Sequence, residues 1–139
     1  MNDGYSGDLN PQQAWDFMKE NPDAVLVDVR TPAEFHYIGI PRLDALGKTP
    51  ILIPLINEQH TQNPNFIENL KDDVRDANTP ILFLCRSGGR SRQAAMMAHL
   101  QGFSTCYNIA EGFEGDLDAN HHRGTINGWK QRELPWKQT

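Results

Sequence analysis

The chain has 139 residues, 38% of them hydrophobic and 22% charged, with a formal net charge of -5. That is one domain's worth of sequence with material for a full core, and its charge balance argues against non-specific binding to nucleic acid. Two cysteines are too few for a disulfide framework or a zinc cluster, and no run approaches the ~20 apolar residues of a membrane span. The polar segment Met1 to Asn10 lacks the basic-then-apolar order of a signal peptide. The expectation is therefore a cytoplasmic protein folded as one domain over residues 1–139.

Helix and strand patterns alternate along the chain. Asn10 caps a first helix that begins at Pro11 and shows Ala14, Trp15, Phe17 and Met18 on one face; Asn21-Pro22-Asp23 ends it. Ala24 to Val27 is apolar without alternation, as in a buried strand. Thr31-Pro32-Ala33-Glu34 is a capping box, opening a short helix to about Tyr37. Ile51-Leu52-Ile53 reads as a strand. Asn63 to Val74 suits a helix with Asn63 as its cap, Pro64 next, and Phe66, Ile67, Leu70 and Val74 inward.

Pro80 to Leu84 is a strand that delivers Cys85. Ser91 to Leu100 forms a helix with small residues, Ala94, Ala95 and Ala98, toward the sheet, and Gly102 terminates it. Thr105 to Ile109 is the final strand, and Asn127 to Glu133 is read as a last helix. Glu114 to Gly128 is a polar loop of unusual length. Strands interleaved with helices at this spacing predict an α/β fold: a central, mostly parallel sheet flanked by helices on both faces. Ligands of such sheets bind beyond the carboxyl ends of the strands, where Cys85, Asp28 and Arg30 all fall.

Cys85-Arg86-Ser87-Gly88-Gly89-Arg90-Ser91 joins the strand to the helix behind it. A thiolate is the nucleophilic form of cysteine, and a helix N-terminus and neighbouring arginines favour it. If Gly88 and Gly89 adopt unusual dihedrals, the amides from Arg86 to Arg90 converge into an anion nest. Arg86 and Arg90 add full charges that suit an anionic substrate.

This loop resembles the active-site loop of the rhodanese family of sulfurtransferases. Val25-Leu26-Val27-Asp28-Val29-Arg30-Thr31-Pro32-Ala33-Glu34-Phe35 resembles the family's first segment. Asn108-Ile109-Ala110-Glu111-Gly112-Phe113 resembles the segment after its last strand. Gly128-Trp129-Lys130 with Leu134-Pro135-Trp136 resembles its C-terminal end. The pieces lie in the family's order over nearly the whole chain.

The resemblance implies a persulfide on Cys85, loaded by a small anionic sulfur donor such as thiosulfate and unloaded by a thiol or cyanide. It makes the loop amides the stabilisers of that persulfide and makes Arg86 and Arg90, with Ser87, Gly88, Gly89 and Ser91, the donor's contacts. It calls for no metal and no organic cofactor. Asp28 is expected to brace the loop, and Arg30 either braces it or meets substrate.

Departures from the family are Ile38-Gly39-Ile40-Pro41, which lacks the family's histidine, the long segment between Gly112 and Trp129, and an insertion-like stretch over Arg42 to Asn65. One alternative is a relay or binding module that hands sulfur only to a specific protein. A cysteine-dependent phosphatase or arsenate reductase is disfavoured, because its loop resembles Cys, five residues, Arg, whereas position 91 is serine. Cys106 is read as a buried small residue, with a resolving thiol as the alternative. His121 and His122 read as solvated, since adjacent side chains point apart. His99 is placed at the solvent or an edge, and Trp15, Trp129 and Trp136 are packing residues.

Overall fold

The computed structural model describes residues 4–138; the leaderless reading of Met1 to Asp3 lies outside them. The elements in chain order are β1 (Gly7–Leu9), α1 (Pro11–Glu20), β2 (Val25–Asp28), α2 (Pro32–Tyr37), β3 (Ile40–Pro41), β4 (Ile51–Leu52), α3 (Phe66–Asp73), β5 (Ile81–Leu84), α4 (Gly89–Leu100), β6 (Cys106–Ile109) and β7 (Trp136–Lys137). Five strands form one sheet in the order β1-β6-β5-β2-β4, every neighbouring pair parallel. β3 and β7 form a separate antiparallel pair. This is the expected α/β fold, a central parallel sheet with helices on both faces. Among the described residues no helix is long and apolar enough to cross a membrane.

Strand alternation divides the core in two. Val27, Val29, Ile81, Phe83, Cys85 and Cys106 share one face with Phe66 and Leu70 of α3 and Ala94, Ala95 and Ala98 of α4. Leu26, Leu82, Leu84 and Ile109 share the other with Ala14 and Met18 of α1 and with Phe113, Trp129 and Leu134. β5 is buried at all four positions, as a central parallel strand covered on both faces must be. The alanines of α4 let its backbone approach the sheet closely, which places the helix's head beside the end of β5.

Local chemistry sets most boundaries. α1 and α2 both carry complete capping boxes, on Asn10 with Gln13 and on Thr31 with Glu34, each with proline in the first turn. α3 starts later than expected, with Asn65 rather than Asn63 at its cap. The Asn63 Oδ1 instead accepts from the Asn65 amide while Nδ2 donates to the Pro54 carbonyl. That local turn competes with helix formation. α4 begins at Gly89, two residues before Ser91.

The expected helix over 127–133 does not form. Gly128 and Glu133 both take left-handed φ values, +106° and +62°, so the segment holds turns rather than a helix, with Arg132 N–H donating to the Gly128 carbonyl and Glu133 N–H to the Lys130 carbonyl, each at 3.0 Å. The loop 114–128 closes on itself. A Cβ on Gly128 would lie 2.6 Å from the Gly115 nitrogen, so the loop's ends meet where only glycine fits.

Candidate active site

Cys85 is the first residue beyond β5, and its side chain points to the α4 face. The chain then turns through Gly88, the cap of α4, whose φ of +114° belongs to the left-handed region that glycine reaches without strain. That turn aims the Gly88 N–H at Cys85 Sγ, 3.1 Å away. Ser91, fully buried in the first turn of α4, places its hydroxyl 3.1 Å from the same sulfur. Sγ thus sits at a helix head, where the backbone is partially positive.

Two details differ from the sequence reading. Only the Gly88 amide, not the whole set from Arg86 to Arg90, is bonded to the sulfur among the described residues. Only Gly88 of the glycine pair has a positive φ, and a Cβ on Gly89 would meet nothing within 4 Å. Cys85 is 1% exposed, so its sulfur lies beneath the loop. Any reactant would reach the sulfur through the loop rather than meet an open thiol.

The loop is clamped from below by the segment after β6. Phe113 N–H donates to the Cys85 carbonyl at 2.8 Å, and Glu114 and Gly115 N–H donate to the Arg86 carbonyl at 3.0 and 3.2 Å. Gly112 makes this approach possible. Its φ is +71°, and a Cβ there would stand 2.4 Å from the Arg86 carbonyl carbon and oxygen.

The two loop arginines have different environments. Arg90 forms a bidentate pair with Glu34 of α2, Nη1 to Oε1 at 2.7 Å and Nη2 to Oε2 at 3.0 Å. Burial pushes the Glu34 carboxyl up, but the Arg90 bonds and the Thr31 backbone bond outweigh it and hold the group at about 2. Arg86 is exposed and has no ion-pair partner among the described residues. Both arginines line a cleft of about 460 Å³ with Glu34, Glu58, His60 and Ile56. Part of the 42–65 stretch therefore forms one wall of the cleft. Ser87 is half-buried in the loop.

Asp28 and Arg30 lie at the carboxyl end of β2, both fully buried and bound to each other, Arg30 Nη2 to Asp28 Oδ2 at 2.6 Å and Nε to Oδ1 at 2.9 Å. Burial pushes the Asp28 carboxyl up, and the guanidinium opposes it. Arg30 Nη2 also donates to the Gly39 carbonyl at 2.8 Å, its guanidinium lies 4.3 Å from the Phe113 ring centroid, and Nη1 has no hydrogen-bond partner among the described residues. The pair ties β2 to the turn before β3 and to the segment that clamps the loop, and neither residue is bonded to the sulfur.

Asn108, named in the sequence only as part of the family-like segment 108–113, has a place in the site that the sequence did not suggest. It lies on β6, its Oδ1 2.5 Å from Ser91 Oγ and its Nδ2 3.0 Å from Asp8 Oδ1. A polar residue inside the strand run Cys106-Tyr107-Asn108-Ile109, where asparagine is disfavoured, was the available signal. Cys106 pairs in register with Ile81, four residues or roughly 13 Å along the strand from Cys85. Its thiol is buried beside the Phe103 carbonyl, and burial pushes it up to about 12. His121, His122 and His99 are exposed, and no group of three metal-ligating side chains occurs among the described residues. Trp15 and Trp129 pack edge to face at 6.1 Å, while Trp136 is partly exposed in β7.

The model of the STR4 middle domain family matches residues 7–139. A thiosulfate sulfurtransferase GlpE of Glaesserella parasuis is 30% identical, over 92% of this chain and 90% of its own. An uncharacterized protein of Rickettsia prowazekii is 42% identical over 90% of this chain and 92% of its own. The crystal structure of Rv0390 from M. tuberculosis superposes with a TM-score of 0.91 at 44% identity, covering 97% of this chain and 99% of that one. The loop geometry and these similarities together place the chain in the rhodanese-like family, within the STR4 middle domain group.

Proposed function

We propose that this protein is a sulfurtransferase that carries sulfane sulfur as a persulfide on Cys85, with residues 1–139 acting as one domain. The observation that carries the reading is the Cys85 sulfur at the head of α4, with the Gly88 N–H and the Ser91 hydroxyl each 3.1 Å away. The similarity to a thiosulfate sulfurtransferase supports it.

The Cys85 thiolate attacks the outer sulfur of thiosulfate. The S–S bond of the donor breaks as the Cys85 S–S bond forms, and sulfite leaves with the bonding pair. A thiolate acceptor or cyanide then takes the terminal sulfur, leaving a persulfide or thiocyanate and restoring the thiolate. Sγ is anionic as the first step begins and again as the second ends, and the Gly88 amide and the helix head stabilise it there without reorganising. Arg86, with no ion-pair partner among the described residues, attracts the donor. Arg90, bound to Glu34, shapes the cleft. Such a thiolate survives in a reducing compartment, which suits the cytoplasm.

A second reading, a relay that delivers sulfur only to a partner protein, draws on the 1% exposure of Cys85. Turnover with thiosulfate and cyanide separates the two. Thiocyanate formation that disappears in Cys85→Ser is the expected result. Rapid loading without turnover means a relay. No loading from any sulfane-sulfur donor ends both readings.

A further inference from the structure

A hydroxyl has one proton to donate, and Ser91 stands between two groups that want it. Its Oγ is 3.1 Å from Cys85 Sγ and 2.5 Å from Asn108 Oδ1. The amide's orientation follows from its other end. Nδ2 faces Asp8 Oδ1 at 3.0 Å, and a carboxylate accepts only. Tyr5 donates its hydroxyl to the same Asp8 oxygen at 3.0 Å. Asn108 therefore turns its carbonyl oxygen to Ser91, and that oxygen accepts only. Asn108 is 4% exposed and Ser91 fully buried, so water does not readily replace either partner.

We propose that Asn108, oriented by Asp8, is a positioning residue that keeps Cys85 in its S–H form between turnovers by claiming the single proton of Ser91. With that proton on the Ser91–Asn108 bond, Ser91 offers the sulfur a lone pair, which an S–H satisfies and a thiolate does not. When Cys85 ionises, the Ser91 proton must swing to Sγ. Two acceptor oxygens, Ser91 Oγ and Asn108 Oδ1, are then left facing each other. Once the persulfide forms, Sγ carries no charge and the Ser91–Asn108 bond returns. The arm thus tolerates the thiol and the loaded state and disfavours only the free thiolate.

The Gly88 amide and the helix head act in the opposite direction. Among the charged groups around the sulfur, Arg86 and Arg90 flank it in the loop and α4. Glu34 of α2 is bound to Arg90, Asp28 of β2 to Arg30, and Asp8 of β1 ends the chain of bonds. None is bonded to Sγ. In turnover, the proton released from the thiol leaves with sulfite as hydrogensulfite, and a proton from solvent returns to the thiolate that the second step restores.

The role in turnover rests on the sulfurtransferase reading, but the protonation claim is tested without any donor. The test is the pH profile of iodoacetamide alkylation, in a Cys106→Ala background where Cys85 is the only thiol. Asn108→Leu frees the Ser91 proton for the sulfur. Its acid limb should move to lower pH, with alkylation near about pH 6 faster by about tenfold, the scale of one charge-assisted hydrogen bond. In a Ser91→Ala background the same Leu substitution should leave the profile unchanged, an outcome that general loosening of the site would not give. An unshifted or slower profile in Asn108→Leu overturns the proposal, as does an equal shift in the Ser91→Ala background. Should Asn108→Leu not fold, Asp8→Ala decides. It releases the amide to turn its N–H toward Ser91, so a shift in the same direction supports the proposal and an unshifted profile overturns it. Sulfur uptake measured separately by mass reports on the transferase reading alone.

Discussion

Cys85 and Cys106 are both free, both buried and both on the α3–α4 face of one sheet, yet their surroundings differ in kind. Cys106 enters its strand at the amino end of the sheet, and the polar atom near its sulfur is an acceptor, the Phe103 carbonyl at 3.7 Å. Burial there has nothing to oppose it and pushes the thiol up to about 12. Cys85 leaves its strand at the carboxyl end, where a helix head, an N–H donor and a hydroxyl meet it. Burial alone therefore does not separate the two cysteines. What distinguishes them is that a helix head and an N–H donor face the Cys85 sulfur while a carbonyl faces that of Cys106, and in a parallel sheet the strand's end decides that.

The sharpest way to break the contrast is to remove each thiol in turn. Cys85→Ser should lower thiocyanate formation from thiosulfate and cyanide by ~10³-fold or more, because a serine cannot carry the sulfane sulfur. Unfolding by circular dichroism should remain close to wild type. Turnover near the wild-type rate in Cys85→Ser would remove the nucleophile assignment.

The glycines grade the same contrast. Gly112→Ala places a Cβ 2.4 Å from the Arg86 backbone at a left-handed φ, so it should destabilise the fold by more than about 3 kcal/mol. Gly88→Ala meets no atom closer than 3.7 Å, and only its φ of +114° opposes it. It should cost about 1–2 kcal/mol and displace the Gly88 amide from the sulfur, with a larger loss in turnover than in stability. Gly89→Ala, with open space and no left-handed φ, should be close to neutral in denaturant titration. A Gly89→Ala variant as damaged as Gly88→Ala would contradict the loop geometry.

Glu34→Gln tests the cleft beside Cys85. The Glu34 carboxyl lies at about 2 in the folded protein against an ordinary value of 4.5. Its stabilising contribution is therefore whole above about pH 4.5 and is lost as pH falls through about 2. The Gln variant should be less stable at neutral pH and should change less over that acid window, read by urea unfolding at a series of pH values. With Arg90 released, KM for thiosulfate should fall. An unchanged KM would mean that the Glu34 charge has no influence on donor binding. The smallest effect belongs to Cys106→Ala, which removes one buried sulfur at about 1 kcal/mol and should leave sulfur uptake unchanged.

Much of this was legible in the residues. An asparagine cap followed by proline announced α1, a capping box announced α2, unbroken apolar runs announced β2 and β5, and the glycine-arginine loop between β5 and α4 marked the candidate site. The omissions have local causes. Gly7-Asp8-Leu9 lacks an apolar run because it is an edge strand held by pairing with β6. The helix expected over 127–133 was undone by backbone at Gly128 and Glu133 that no periodicity shows. Glu34 was read for its capping role, which it performs while also binding Arg90 from 56 residues away. Asn108 meets Ser91 across 17 residues and Asp8 across 100. Contacts of that range are set by the strand order, which local sequence patterns do not encode.

The most direct test is intact-mass analysis with peptide mapping after incubation with thiosulfate. The account predicts one added sulfur atom on the peptide carrying Cys85, removable by a thiol reductant, with the Cys106 peptide unchanged. Sulfur found on Cys106, or no uptake by a folded protein, would contradict it.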